Sequence, residues 1–202
     1  MRDKPKNFSG TIPWTKINDI EGKFLSRSQH GLCVSNVTID KMNLQVIPAG
    51  SLVLSVSATF GVSAITTQKL VTNQRFIGLV PNNQNQLDFL YISLHTQSFK
   101  RQMRLASAGS ISFYITRKQV ENFNMNIPND AEKSQIGELF ALLDTLIASN
   151  QRKGKSSNKG GIPTYKLNLI EATRSINYRV NQTPQLTNNY SKIEGLIILA
   201  PP

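Results

Sequence analysis

The residues that commonly bind metals or act as nucleophiles are few and scattered. Cys33 is the only cysteine, and His30 and His95 are far apart in the sequence, with no HExxH or comparable spacing. Zinc and related metals need several His, Cys or carboxylate ligands in a recognisable pattern. The sequence therefore predicts no metal site and no internal disulfide.

The acidic and glycine-rich patterns of common enzymes are also missing. A nuclease needs clustered carboxylates that hold a divalent cation. Four carboxylates in the first half of the chain are scattered and follow no PD…(D/E)xK pattern: Asp19, Glu21, Asp40 and Asp88. A nucleotide or cofactor loop needs several glycines, whereas residues 59–63 contain one glycine and no lysine. We therefore predict no catalytic residues and interpret the chain as a binding protein.

The basic residues give the strongest chemical signal. Lys and Arg outnumber Asp and Glu by 23 to 12, a formal net charge of +11, which favours a polyanionic partner such as nucleic acid or an anionic membrane. Lys100, Arg101 and Arg104 lie near the end of a predicted helix, where they are candidate phosphate contacts. Cations at a helix end also suit the helix dipole whatever the function, so both interpretations stay open.

The elements that would position these residues alternate between strands and helices. Residues 44–80 contain the runs LQVI, SLVLSVSATF, SAITT and FIGLV, separated by Pro48–Gly50, Gly61 and Asn73–Gln74. They predict short strands of a twisted, mostly antiparallel sheet. A single helix is expected over residues 87–106, and another extended segment over 120–127.

A second helix is predicted from the Asn129–Asp130 cap to about Asn150. It carries a coiled-coil-type stripe for subunit contact, with apolar residues spaced by 3, 4 and 3: Ile136, Leu139, Leu143 and Leu146, widened by Phe140 and Ile147. The alternative is a helix folded back on its own domain. Gly154 and the polar residues after it should end the helix.

The predicted fold class is α+β, with three regions. Residues 1–128 form a β-rich domain with an internal helix, 129–153 the protruding helix, and 154–202 a linker and poorly specified tail whose run 196–200 could add a strand. No apolar stretch is long enough to span a membrane and residues 1–10 lack a signal-peptide core, so we expect a cytoplasmic protein without a membrane partner.

Three segments resemble the specificity subunits of type I restriction-modification systems, namely one target-recognition domain and the conserved helix after it. The first is PAGSLVLSVSATFGVSAITTQKLVTNQRFIGLVPN, residues 48–82. The second is DFLYISLHTQSFKRQMRLASAGS followed by ISFYITRKQVENFNMNIP, residues 88–128. The third is AEKSQIGELFALLDTLIASNQRK, residues 131–153, which is similar to the start of the family's conserved helix.

The resemblance implies a non-catalytic subunit that reads double-stranded DNA. In that family two recognition domains, separated by antiparallel helices, each read half of a split target. Methyl transfer with S-adenosylmethionine, and cleavage with ATP and Mg²⁺, belong to partner modification and restriction subunits. One domain and one helix imply a half-subunit that could pair with a second half-subunit.

The resemblance also selects candidate site residues. Bases would be read by polar side chains near the sheet edge: Lys69, Asn73, Gln74 and Arg75. Lys100, Arg101 and Arg104 would contact phosphates. Asn73 and Gln74 could instead cap a turn, and the cations could be solvated surface. Alternatives to an active subunit also remain. The short helix and the loose turn at residues 106–111 depart from the family pattern, so the chain could be a truncated or silent copy of such a subunit. A basic module for RNA or an acidic protein is the other alternative, and a small degenerate nuclease or methyltransferase is a third.

Overall fold

The computed structural model describes residues 5, 8–57, 59, 61–107, 114–126, 128–154, 190–192 and 196–199. The chain forms two compact units, Met1–Met125 with Tyr190–Pro202, and Asn126–Asn189. The mixture of strands and helices agrees with the predicted α+β class. Two 3₁₀ helices, Ile17–Asp19 and Gln84–Gln86, accompany the following elements: β1 (Ile12–Thr15), β2 (Phe24–Leu25), β3 (Cys33–Val34), α1 (Asn36–Met42), β4 (Val46–Ile47), β5 (Leu52–Ser55), β6 (Ser63–Thr66), β7 (Leu70–Thr72), β8 (Phe76–Pro81), α2 (Leu87–Leu94), α3 (Gln97–Ser107), α4 (Arg117–Glu121), β9 (Asn124–Asn126), α5 (Asp130–Gly154), β10 (Tyr190–Lys192) and β11 (Leu196–Leu199).

Two sheets contain most of the described strands. One has the strand order β3-β1-β7-β4 and the other β11-β8-β5-β6-β2, while β9 and β10 form a separate pair. β1 is parallel to β7 and β2 is parallel to β6; the other pairs within these two larger sheets are antiparallel. The strands of residues 44–80 are short and pair with one another in antiparallel fashion, as predicted. The single sheet expected there is wrong, because β4 and β7 belong to the first sheet and β5, β6 and β8 to the second.

One apolar cluster of the described residues combines side chains from both sheets. Ile47 and Leu70 come from the first sheet, and the second contributes Val53, Ala64 and Phe76, among others. Gly78 on β8 lets the two sheets approach, because a Cβ built there would lie 3.0 Å from Cγ1 of Ile47. Burial of these apolar side chains is what holds the strands in register.

A second apolar cluster lies under α1, a helix that the sequence pattern did not indicate. Trp14 of β1, Val34 and Val71 pack there with Ile39 of α1. The helix begins at Ser35, whose hydroxyl accepts a hydrogen bond from the Thr38 amide at 3.3 Å. With only seven residues, α1 shows too little periodicity to predict, and its stability comes from packing.

The single helix predicted over residues 87–106 is wrong, because the structure has two helices there. α2 ends at Leu94, and the amide of the capping residue His95 donates to the carbonyls of Ile92 and Ser93. The Thr96 hydroxyl accepts from the Phe99 amide at 3.3 Å and so caps the start of α3. A side chain that satisfies the free amides of a new helix favours a break at that point.

The extended segment predicted over residues 120–127 is only partly correct. Thr116 and Gln119 form a capping box that starts the short helix α4, and β9 follows it. Most of the loose turn expected at residues 106–111 falls outside the described residues, as does most of the tail expected after residue 154.

The second unit contains α5. The Asn129 side chain accepts from the Glu132 amide at 3.0 Å, and the Glu132 carboxylate accepts from the Asn129 amide at 3.2 Å. This reciprocal cap agrees with the predicted helix start. Within the predicted stripe Phe140 and Ile147 are 39% and 54% exposed, whereas the other four members are half-buried. The coiled-coil role of α5 stays a prediction.

The last described strand comes from the end of the chain. β11 pairs with β8, with Ile198 opposite Leu79, so the strand suggested by the apolar run 196–200 is present. Ile198 is 3% exposed in this pairing. No helix in the described part of the chain is long and apolar enough to cross a membrane.

Candidate nucleic-acid interface

The turn between β7 and β8 carries three of the predicted DNA-binding residues. Its shape is set by Asn73, whose side-chain oxygen accepts from the Arg75 amide at 3.1 Å while its carbonyl accepts from Phe76. Asn73 thus acts as a turn residue, the alternative role considered from the sequence. Gln74 is half-buried, and Arg75 is exposed with its guanidinium available to a ligand.

The three predicted phosphate contacts lie on α3, which has one buried and one basic side. Phe99, Met103 and Ser107 form the buried side. Arg101 and Arg104 are exposed, and Lys100 is half-buried, with its carbonyl accepting from Nε of Arg104 at 3.4 Å. The hydrophobic face therefore fixes the helix and directs the cations outward.

The orientation of α3 is fixed by contacts with the segment after it. The Gln102 side chain donates to the Asn124 carbonyl and accepts from the Asn124 amide, each at 2.8 Å. The rings of Phe99 and Phe123 meet edge to face with their centroids 5.5 Å apart. Because these contacts fix the rotation of α3 about its own axis, Arg101 and Arg104 occupy a defined part of the surface.

Arg75 and α3 border the same stretch of chain. The Arg75 carbonyl accepts from the Val56 amide at 2.8 Å, and the Gly61 amide donates to Ser55 at 3.3 Å. Gly61 in turn lies beside Met103 of α3, since a Cβ built on this glycine would be 3.9 Å from the Met103 sulfur. Met103, however, lies on the buried side of α3, so these contacts do not place Arg75 beside the exposed arginines of the helix. We call the basic residues of α3 the α3 surface: Lys100, Arg101 and Arg104.

Lys69 is separated from the other predicted residues near the sheet edge. It lies in the exposed turn before β7, whereas Asn73 lies after this strand. At about 3.3 Å per residue their Cα atoms are roughly 13 Å apart. Lys69 instead neighbours a different loop, because the adjacent Gln68 side chain donates to the Ser26 carbonyl. No sequence motif marks this loop, residues 26–31.

The cations of these surfaces are not neutralised within the described part of the chain. Ion pairs there join Lys23 to Asp88 at 3.0 Å and Arg117 to Glu121 at 2.7 Å. None of the described acidic side chains pairs with Lys69, Arg75 or the three basic residues of α3. A concentration of unpaired positive charge is the electrostatic requirement for binding a phosphate backbone.

Side chains that commonly bind metals are not clustered in the described residues. No group of three or more His, Cys, Asp or Glu side chains there could hold a metal ion. Cys33 is a free, half-buried thiol.

Comparison with known proteins gives a consistent family. Residues 1–157 match the family described as type I restriction modification DNA specificity domain. The chain is 22% identical over 162 residues to the type I restriction enzyme MjaIX specificity subunit of Methanocaldococcus jannaschii, a match covering 79% of this chain and 37% of the relative. It is 26% identical over 162 residues to the HindI specificity subunit of Haemophilus influenzae, covering 68% of this chain and 35% of the relative. The chain thus spans a little over a third of the length of these relatives.

Proposed function

Because the chain belongs to the type I restriction modification DNA specificity family, we propose that it is a DNA-recognition subunit of such a system. In this proposal residues 1–128 recognise double-stranded DNA, 129–153 form the subunit contact, and 154–202 form a linker and tail. The protein acts in the cytoplasm, where its DNA target is accessible.

The observation that carries this proposal is the family match over residues 1–157, which includes the α3 surface. Unpaired cations on a helix with a fixed orientation suit contacts to phosphate oxygens. Such contacts position a protein on DNA without reading its sequence, so polar side chains on neighbouring loops must contact the base edges. The domain thereby needs no catalytic group of its own.

Catalysis in this proposal is supplied by partner subunits. A modification subunit transfers the methyl group of S-adenosylmethionine to the recognised DNA, and a restriction subunit uses ATP and Mg²⁺ to cleave it. This chain holds none of these cofactors and determines where its partners act.

We further propose that α5 contacts a second copy of the chain. Its residues Ile136, Leu139, Leu143 and Leu146 occupy the a and d positions of two heptads. Phe140 and Ile147 extend this stripe and are both exposed. Two such helices packed together would bring two recognition domains into one complex and so read two half-sites.

The contact is tested with the double variant Leu139→Asp, Leu143→Asp, in which the stripe receives charges that cannot be buried without cost. Light scattering should give a dimer for the unmodified chain and for Glu138→Gln, a control on the same helix, but a monomer for the double variant. A monomeric unmodified chain at micromolar concentration would contradict the proposal.

DNA recognition is tested by selection from a randomised duplex library. The purified chain, with its cognate modification subunit, should enrich one split or palindromic motif. Enrichment of no motif by folded proteins, or tighter binding of RNA than of duplex DNA, would overturn the proposed function.

A further inference from the structure

The loop 26–31, between β2 and β3, is held in place by a buried carboxylate. Asp19 is 8% exposed, and its two oxygens accept from the Lys16 and Gln29 amides, each at 2.7 Å. The Ser28 hydroxyl lies 3.5 Å from the same carboxylate. Charge-assisted bonds to backbone amides are among the stronger hydrogen bonds in proteins, so Asp19 fixes the backbone of the loop.

Other contacts hold the two ends of the loop. The Gln68 side chain donates to the Ser26 carbonyl, and the Gly31 amide donates to Ser28 at 3.1 Å. Gly31 has a φ of 65°, a conformation that favours glycine. The exposed side chains of Arg27 and Gln29 therefore project from a backbone that needs little ordering before it binds a ligand.

These side chains line a cleft of about 600 Å³ together with Phe24 and Glu21. Phe24 is 60% exposed, so its ring is accessible to a ligand in the cleft, and Nζ of Lys23 lies 5.8 Å from the ring centroid. The Gln29 side chain donates to the Glu21 carboxylate at 2.8 Å. The cleft thus presents a cation, an amide, a carboxylate and an aromatic ring within one surface.

This mixture suits base edges better than phosphates. Glu21 and Asp19 would repel a phosphate group brought into the cleft. In the major groove, however, arginine pairs with guanine, glutamine with adenine, a carboxylate with the amino group of cytosine, and an apolar ring with the thymine methyl. Lys69, beside Gln68, lies where it could hold a phosphate next to bases in the cleft.

We propose that loop 26–31 reads DNA bases in the major groove, with Arg27 and Gln29 as specificity-determining residues and Phe24 as an apolar contact. This inference rests on the proposed function, and it assigns base reading to a surface distinct from the α3 surface. Arg27 donates a pair of hydrogen bonds to a guanine, and Gln29, supported by Glu21, contacts a neighbouring base.

The test is the motif selected from a randomised duplex library by the full chain with its modification subunit, comparing Arg27→Ala and Arg27→Lys with the unmodified protein. Lysine keeps the charge but cannot make the paired bonds of a guanidinium. Both variants should lose the preference for guanine at one position, with discrimination falling roughly 5- to 100-fold while the rest of the motif is kept. Lys41→Ala, which removes an exposed cation on α1, is the control and should keep the full motif.

Two results would overturn the inference. If Arg27→Ala selects the unchanged motif, Arg27 does not read a base. If Arg27→Ala binds all sequences more weakly and Arg27→Lys restores binding, Arg27 is a phosphate contact. Failure of the unmodified protein to select any motif would refute the proposed function itself, and the inference with it.

Discussion

At the scale of single residues, polar side chains with few exposed atoms determine the shape of the exposed loops. Asp19 joins the 3₁₀ helix at Ile17–Asp19 to loop 26–31, and Asn73 shapes the turn that carries Arg75. Neither side chain needs to touch DNA to matter for binding. Asp19 fixes the loop backbone from which Arg27 and Gln29 project, and Asn73 fixes the turn from which Arg75 projects.

Asp19→Ala should destabilise the first unit. The substitution removes the acceptor of two backbone amides and leaves them with fewer partners, which costs about 1–3 kcal/mol in the free energy of unfolding. Urea denaturation followed by circular dichroism measures this loss. Asp40→Ala is a suitable control, because Asp40 is exposed on α1 and should change stability by less than about 0.5 kcal/mol. Equal stabilities for the two variants would refute the role given to Asp19.

Replacing both exposed arginines of α3 by glutamine should reduce the salt dependence of DNA binding. Each phosphate contact contributes about 0.9 to the slope of log K against log salt concentration, so loss of Arg101 and Arg104 should lower the magnitude of the slope by about 2. Binding titrations at several salt concentrations give this slope. Lys41→Gln should leave it unchanged, and an unaltered slope in the double variant would show that α3 does not contact phosphates.

At the scale of elements, close packing between the two sheets fixes the positions of the strands, and the strands in turn position the loops between them. Two neighbouring strands of the second sheet, β5 and β6, are buried over all four of their residues. The two sheets are in close contact at Gly78, because Ile47 of the other sheet occupies the space that a side chain on this glycine would need. Interiors packed this closely resist added volume.

Gly78→Ala should therefore destabilise the protein by about 1–3 kcal/mol. The added methyl group forces Ile47 to shift or adopt a less favourable rotamer. Combining it with Ile47→Val, which removes a methyl group from the site, should recover part of that loss, so that the two effects are not additive. Denaturation midpoints of the two single variants and the double variant form the required cycle. Strict additivity would contradict the contact.

The strands could be predicted from sequence more reliably than the helices. β5, β6 and β8 lie in apolar, β-branched runs bounded by turn residues, whereas β7 has only three residues and gave no separate signal. The break between α2 and α3 depends on one hydroxyl group, that of Thr96, within an otherwise periodic segment. Local pattern alone does not show whether such a group will cap a new helix or remain inside a longer one.

The candidate site was predictable only in part, for a different physical reason. The excess of cations and the basic segment of α3 are visible in the sequence, but the contacts that place Arg27 and Lys69 join residues distant in the chain. Gln68 reaches Ser26, and Asp19 reaches Gln29. The contact between Gln68 and Ser26 follows from the pairing of β2 with β6, which no local pattern indicates.

At the scale of the whole molecule, charge and chain connectivity bear on assembly. A net charge of +11 favours association with DNA and makes it sensitive to salt. The chain leaves the first unit after Met125 and returns at Tyr190, and β11 then pairs with β8. Residues beyond the family match at 157 therefore contribute a strand to the unit that we propose recognises DNA.

The most direct test of sequence recognition by this chain is to map methylated bases in DNA treated with its cognate modification subunit and S-adenosylmethionine, with and without the chain. Methylation should occur at one defined motif only when the chain is present, and Arg27→Lys should relax that motif at one position. Methylation at the same sites in the absence of the chain, or no methylation by a stable complex that contains it, would contradict its role as the subunit that selects the DNA target.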